Sequence, residues 1–410
     1  MNKIARSRER GAISAADLSQ DISTRVLKSL ALAETKRVAR VHTAPVRSLA
    51  IDPVQSRFLL SAGLDTSIQL FDLETSERAA GDSSQITPLS HVATGSGHTH
   101  LVSTVEWYPV DSGIFSTSSF DHTLRVWDAS TMTEACQFDL ESRVYCHRMS
   151  PTGAHALIAA ANESAYVRLC DLRMASAAQQ LFAHQGGGTA LAWSPYQPHT
   201  LATGGTDGVL KLWDIRQSGS CISEFSQPPQ PLQAVPKSAE SAAAAATATA
   251  TAHIGPIKSV LFSKIANAII SSGSDGRARV WRADADGLSS PALLAEYPVG
   301  TKGSSEGGGA RIEGTIEPAL TATDDGTVKS EIMFYPNGDG TISSIEFTTG
   351  KCIAVLHGHF APVACVAWRS RHMELYSGGI DSNILVWCPP ATENMSAEQT
   401  AARVDGWSDG

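Results

Sequence analysis

The stretch TLATGGTDGVLKLWD, Thr200–Asp214, decides how this chain folds. Apolar and polar residues alternate on both sides of a short Gly/Asp-rich break. That is the pattern of two half-buried strands joined by a tight turn. Working outward, a His lies upstream at His184, a hydroxyl at Thr203, an acid at Asp207 and an aromatic at Trp213. The same four chemistries recur at the same offsets in His42–Ser61–Asp65–Phe71, His98–Thr117–Asp121–Trp127, His253–Ser271–Asp275–Trp281 and His359–Ser377–Asp381–Trp387. FLLSAGLDTSIQLFD, Phe58–Asp72, shows the same hairpin in the first copy. A catalytic triad has no reason to be repeated five times at fixed spacing. A buried polar set does, because each member must find a partner within its own structural unit.

These copies resemble WD-type repeats, each of which forms a four-stranded blade of a β-propeller. The resemblance implies that His, hydroxyl, Asp and Trp form a hydrogen-bonded tetrad tying the loop that enters a blade to its strands. The 86-residue and 106-residue intervals between His98 and His184 and between His253 and His359 each leave room for one degraded copy. One spans 140–171 and ends in Cys170-Asp171, where the others end in Trp-Asp. The other includes 327–347, with Asn337-Gly338 as its hairpin turn. Five clear and two degraded repeats predict an all-β, seven-bladed propeller with a short N-terminal helical segment. RVARVH, Arg37–His42, is expected to pair with the last blade and latch the ring.

The remaining chain divides into four parts. Residues 1–35 form an N-terminal segment, and 36–389 the propeller. An Ala/Pro-rich insertion at 217–252 interrupts it, and an acidic tail runs over 390–410. A Gly/Ser-rich stretch near 300–315 lacks the Lys-Ser/Thr of a phosphate loop. The formal charge of −9 without a basic stripe argues against direct nucleic-acid binding. No apolar run is long enough to span a bilayer. Seven scattered Cys without CxxC spacing argue for reduced thiols rather than zinc or a disulfide framework. No cofactor, metal or catalytic residue is expected.

Two features point to function. Residues 14–34, SAADLSQDISTRVLKSLALAE, read as a helix whose Leu18, Ile22, Leu27 and Leu30 approximate one apolar face suited to a partner's groove. Cys170-Asp171-Leu172-Arg173 and Trp213-Asp214-Ile215-Arg216 place an Asp-x-Arg at one point of two adjacent blades, presenting two guanidiniums on one face. Together with STRVLKSL, VEWYPVDSGIFSTSSFDHTLRVWD, VYCHRMSP, VRLCDLR, KLWDIR and HMELYSGGIDSNILVW, they make the chain similar to the WD-repeat substrate receptors of the cullin-4 ubiquitin ligases. Among these it is most like the receptor of transcription-coupled nucleotide excision repair. The resemblance implies a non-catalytic nuclear protein that docks on the large damaged-DNA-binding adaptor subunit of a cullin-RING ligase. Docking would use the N-terminal helix and the surface around Asp171, Arg173, Trp213, Asp214 and Arg216. It further implies the Cockayne syndrome group B ATPase, the UV-stimulated scaffold protein and RNA polymerase II as partners. The alternative is a WD-repeat scaffold of another nuclear assembly. Tyr108, Asp111 and Phe120 are weaker candidates for partner contact.

Overall fold

The computed structural model describes residues 27–34, 36–74, 84–174, 176–217, 221–227, 251–264, 267–282, 292–300, 316–321, 331–347 and 349–390. Most of the Ala/Pro-rich insertion, the Gly/Ser-rich stretch, residues 391–410, and Leu18 and Ile22 lie outside them. Seven four-stranded antiparallel sheets form a seven-bladed β-propeller. Blade one contains Val46–Ile51, Phe58–Gly63, Ile68–Asp72 and Pro88–Val92, and blade two Val102–Trp107, Ile114–Ser119, Thr123–Asp128 and Thr133–Asp139. Blade three is built from Val144–Met149, Leu157–Asn162, Tyr166–Asp171 and Ser176–Phe182. Blade four follows with Gly188–Trp193, Thr200–Gly205, Leu210–Asp214 and Cys221–Phe225. Blade five has Ile257–Phe262, Ala268–Gly273, Arg277–Arg282 and Leu293–Pro298. Blade six has Ala319–Leu320, Ile332–Pro336, Thr341–Glu346 and Cys352–His357.

Blade seven takes three strands, Val363–Arg369, Glu374–Gly379 and Ile384–Cys388, from the C-terminal part of the chain. Its fourth is Ala31–Leu32, paired as Ala31 with Cys388 and Leu32 with Trp387. This two-residue strand closes the ring and removes an exposed sheet edge. Two expectations are corrected here. Arg37 and Val38, the start of the segment expected to latch the ring, instead lie in Lys36–Val38, which runs parallel to Ser84–Ile86 beside blade one. Of the expected helix, the described part keeps only a turn at Leu27–Lys28 before the chain becomes strand. Pairing with an open edge outweighs local helix preference, because each backbone group that would face the edge gains a partner.

Register slips recur at two places. The inner strand of six blades slips one residue after its start, as between Val102 and Thr104. The third strand slips beside the tetrad aromatic, as between Val126 and Trp127 or Leu212 and Trp213. Each such bulge twists the strand locally and re-aims side chains. The aromatics that follow are buried: Phe71, Trp127, Trp213, Trp281 and Trp387 sit in the apolar layers between neighbouring blades.

The seam between blades seven and one carries a buried charge set. Arg369, fully buried, donates Nε–H to Ser56 O at 2.6 Å and Nη1–H to Glu374 Oε2 at 2.9 Å. Tyr376 Oη donates to the same oxygen at 2.9 Å, and Lys36 Nζ to Glu374 Oε1. Burial alone would raise the Glu374 pKa, but the Lys36 hydrogen bond and charge, with Arg369 and Tyr376, hold it below its ordinary value.

Candidate functional site

In an antiparallel blade the loops alternate between two faces. The turn joining strands two and three lies on one face, with the loop arriving from the preceding blade. The other two connections lie on the opposite face. The five tetrads occupy the first face. In blade two, His98 Nδ1 lies 2.9 Å from Asp121 Oδ2 and Nε2 lies 2.7 Å from Thr117 Oγ1. Trp127 Nε1–H donates to Thr117 Oγ1 at 2.8 Å. A hydroxyl that accepts from Trp has its one proton left for Nε2, so Nδ1–H points at the carboxylate and every member is satisfied. Blades four, five and seven repeat the relay, with His Nε2 to hydroxyl distances of 2.9, 2.7 and 2.8 Å. In blade one the aromatic is Phe71, which cannot donate, and His42 and Ser61 keep their bond at 2.7 Å.

Burial opposes ionisation of the tetrad aspartates, yet the His hydrogen bonds hold Asp65, Asp121, Asp207 and Asp275 below the ordinary carboxylate range, helped by backbone N–H groups at the first three and by Arg279 at Asp275. The same balance brings Asp381 down to about 2. The residue after each His donates its backbone N–H to the same Asp: Thr43, Thr99, Gln185, Ile254 and Phe360. No triad nucleophile is offered: the hydroxyls are buried and bonded to His, and all but Ser61 also accept from Trp. Among the described residues, no group of His, Cys, Asp and Glu could hold a metal ion.

On the opposite face, Asp171 and Asp214 end the third strands of blades three and four. Asp171 Oδ1 accepts the Arg173 N–H at 2.9 Å, and Asp214 Oδ1 the Arg216 N–H at 3.0 Å. Asp72 and Asp128 make the same turn with Glu74 and Ser130. The turn is thus a property of the blade that fixes its third residue outward, and blades three and four put Arg there. The two arginines differ. Arg216 folds back on Asp214, with Nε–H 3.0 Å from Oδ1 and Nη2–H 2.7 Å from Oδ2, while its side chain stays 67% exposed. This bond, more than burial opposes it, lowers the Asp214 pKa. The exposed Arg173 guanidinium makes no hydrogen bond or ion pair among the described residues.

The floor between these loops is closely hydrogen-bonded and packed. His155 Nε2 donates to Pro198 O at 2.6 Å and Nδ1 accepts from Leu157 N–H at 3.3 Å, so both nitrogens are satisfied in the neutral ring. Burial lowers the His155 pKa accordingly. The ring stacks on His199 and packs on Trp193, whose Nε1–H donates to Arg148 O at 2.8 Å. Around the arginines, Met174 and Tyr196 are exposed, and Val110 and Val54 continue the line onto blades two and one. Gly153, at φ +62°, lets the turn of blade three approach Val110, since a Cβ there would sit 2.8 Å from it. Arg, Met, Tyr and Val on one face form a surface suited to a protein partner. The sequence reading missed Met174 and Tyr196, whose exposure depends on what the neighbouring blade leaves uncovered.

Other candidates fall elsewhere. Trp213 is buried and donates Nε1–H to Thr203 Oγ1 at 3.0 Å, so it is a tetrad member and not a docking residue. Leu27 and Leu30 are buried in the layer between blades six and seven with Phe334, Leu375 and Trp387, so they are closed to a partner's groove. Tyr108 packs between blades two and three, and the exposed Asp111 caps its own turn through Gly113 N–H. Phe120 lies on the tetrad face, edge-on to Tyr145 at 5.4 Å with the Arg143 guanidinium over its ring.

The WD domain, G-beta repeat family matches residues 34–72, 89–128, 177–214, 246–282 and 350–388. These are the five stretches with tetrads, and blades three and six fall between them. The chain is a seven-bladed β-propeller, five stretches of which match that repeat. It is 29% identical to WD repeat-containing protein ATCSA-1 of Arabidopsis thaliana, over 98% of this chain and 99% of that protein. It is 28% identical to the Ribosome biogenesis protein WDR12 homolog of Nematostella vectensis, over 48% of this chain and 51% of that protein. Radiation-sensitive protein 28 of Saccharomyces cerevisiae is 23% identical over 54% of this chain and 46% of its own length.

Proposed function

We propose that this protein is the substrate-recognition subunit of a cullin-4-type RING ubiquitin ligase acting in transcription-coupled nucleotide excision repair, in the manner of the Cockayne syndrome group A protein it resembles. The observation that carries the reading is the pair of Asp-x-Arg turns on adjacent blades, aimed outward on one face beside Met174 and Tyr196. Similarity along nearly the full length of ATCSA-1 supports it, where the ribosome-biogenesis relative matches only about half of the chain. In this reading the face bearing Arg173 and Arg216 docks on the large damaged-DNA-binding adaptor. The tetrad face presents the group B ATPase, the UV-stimulated scaffold protein and stalled RNA polymerase II within the nucleus. The chain performs no chemistry itself: the cullin–RING complex transfers ubiquitin, and this subunit supplies proximity and orientation.

The test is purification of the tagged protein from its own cells after UV damage, with partners identified by mass spectrometry, beside the Arg173→Ala/Arg216→Ala variant. Adaptor and cullin recovered with wild type and depleted with the variant support the ligase role. Polymerase in the same eluate supports the repair pathway. A second reading, a scaffold of ribosome biogenesis or another nuclear assembly, is favoured by the half-length WDR12 similarity. It predicts pre-ribosomal or other partners and no cullin.

A further inference from the structure

Six blades begin with an inner strand of six or seven residues, whereas that of blade six is only Ala319–Leu320. The residues just before it, Ile316–Pro318, bond instead to the inner strands of the two flanking blades. Ile316 N–H donates to Lys258 O in the inner strand of blade five at 3.1 Å, and Glu317 N–H to Ala364 O in that of blade seven at 3.2 Å. Val366 N–H returns a bond to Glu317 O at 3.0 Å. The strap Ile316–Pro318 closes a small cavity lined also by Cys146, Arg148, Leu191 and Lys258. Inner-strand residues of blades three, four and five meet one segment in this way only at the axial channel.

The charges in the channel are arranged around the strap. Arg148 of blade three donates Nη2–H to Glu317 Oε1 at 3.1 Å. Arg47 of blade one is buried there, and burial works against its charge, with Glu317 foremost among the groups that offset this. Lys258 of blade five lines the same cavity. Glu106, the second carboxylate, accepts the Met149 N–H at 2.8 Å; burial raises it to about 7, against the pull of Arg148. Arginines from two different blades, Arg148 and Arg47, thus converge on a space whose carboxylate, Glu317, is carried by the strap. Withdrawing one partner of a buried ion pair leaves the other uncompensated, which costs far more than the pair contributes when intact.

We propose that the axial channel is a carboxylate-binding site, occupied by the protein's own Glu317 and able to accept an external carboxylate in its place. The internal ligand also ties blade six, which lacks a tetrad, to blades three, five and seven. An external carboxylate competes poorly in the wild type because the strap holds Glu317 at high effective concentration.

The test is Glu317→Ala in the full-length protein, with formate as probe. The variant is expected to melt about 5 °C below wild type, and amides of 332–336 and 341–346 are expected to exchange faster while those of blade two do not change. Sodium formate at tens of millimolar restores melting temperature and protection. Sodium chloride at equal ionic strength does not, and adding Arg148→Met abolishes the rescue. Rescue by a glutamate-containing peptide as well as formate identifies a partner's side chain as the external ligand, whereas rescue by formate alone identifies a small carboxylate. Formate and chloride acting alike would overturn the proposal. So would wild-type melting and exchange in Glu317→Gln, the variant to use if the Ala protein does not fold. None of these readouts involves the adaptor, so their failure leaves the ligase reading standing.

Discussion

Blade two and blade three are neighbours with the same strand order and opposite solutions to one packing problem. Where blade two buries His98, Thr117 and Trp127 in a satisfied relay, the matching slots of blade three hold Leu140, Ala160 and Cys170, joined in one apolar layer. All the polar members have been exchanged together. That is the arrangement expected when a lone survivor would be a buried group without a partner. Blade three then lends polarity to its neighbour: His147, fully buried, lies 2.7 Å from Ser116 Oγ and 2.8 Å from Ser118 Oγ of blade two. Blade six is intermediate. Asp339 keeps the tetrad turn, accepting from Thr341 N–H and Oγ1, while Tyr335 and Ile345 stand at the hydroxyl and aromatic slots. Its hold on the ring comes from the strap, and from the buried Glu331 that accepts the Lys264 N–H of blade five at 2.7 Å. A tetrad is one way to fasten a blade, and an apolar layer or a buried charge serves where it is missing.

That contrast can be broken from either side. The largest effect is expected at the charge set closing blade seven on blade one: Glu374→Ala strands Arg369 and should cost about 3–5 kcal/mol in denaturant unfolding. A change under about 1 kcal/mol would mean that the apolar layer of Val46, Phe71, Cys365 and Tyr376 holds the seam without the charge set. His98→Ala in blade two removes one partner each from Asp121 and Thr117, leaves a cavity, and should cost about 3 kcal/mol. Leu140→His in blade three, which restores one tetrad member without its partners, should destabilise by a similar amount. Stabilisation by Leu140→His would contradict the account. Acid provides a third probe. The tetrad aspartates titrate lower in the folded than in the unfolded chain, so their contribution is complete above the unfolded carboxylate range near pH 4. It is lost as pH falls toward about 2, and melting temperature should drop steeply across that window. Asp121→Asn should flatten part of the drop. The smallest effect belongs to Phe71→Trp, which supplies the donor that Ser61 lacks and should change stability by less than about 1 kcal/mol.

Much of this was legible because it is local. His, hydroxyl, Asp and Trp meet at fixed offsets within one blade, so blade number and tetrad membership follow from spacing. Cys170 at the aromatic slot of blade three could be read the same way. The outward aim of Arg173 and Arg216 was legible too, since Asp171 and Asp214 set it two residues away. What the sequence hid was long-range. Ala31–Leu32 sits in a helix-like run and becomes a strand because Trp387 and Cys388, over 350 residues later, offer an edge. Leu27 and Leu30 have the spacing of a docking face, but the layer between blades six and seven covers them. Glu317 is one of three glutamates in and beside a Gly-rich stretch, with no period to single it out, and its meaning depends on arginines from blades one and three.

The most direct test of the functional account is the affinity of the purified full-length protein for the purified damaged-DNA-binding adaptor, measured for wild type and for Arg173→Ala/Arg216→Ala. Both proteins should give the same melting temperature, because neither guanidinium packs in the core. The account predicts tight binding by wild type and a loss of roughly thirty-fold or more in the double variant, carried mainly by faster dissociation. Equal affinities, or no binding by wild type, would contradict it and leave the paired Asp-x-Arg turns as ordinary features of a WD-repeat scaffold.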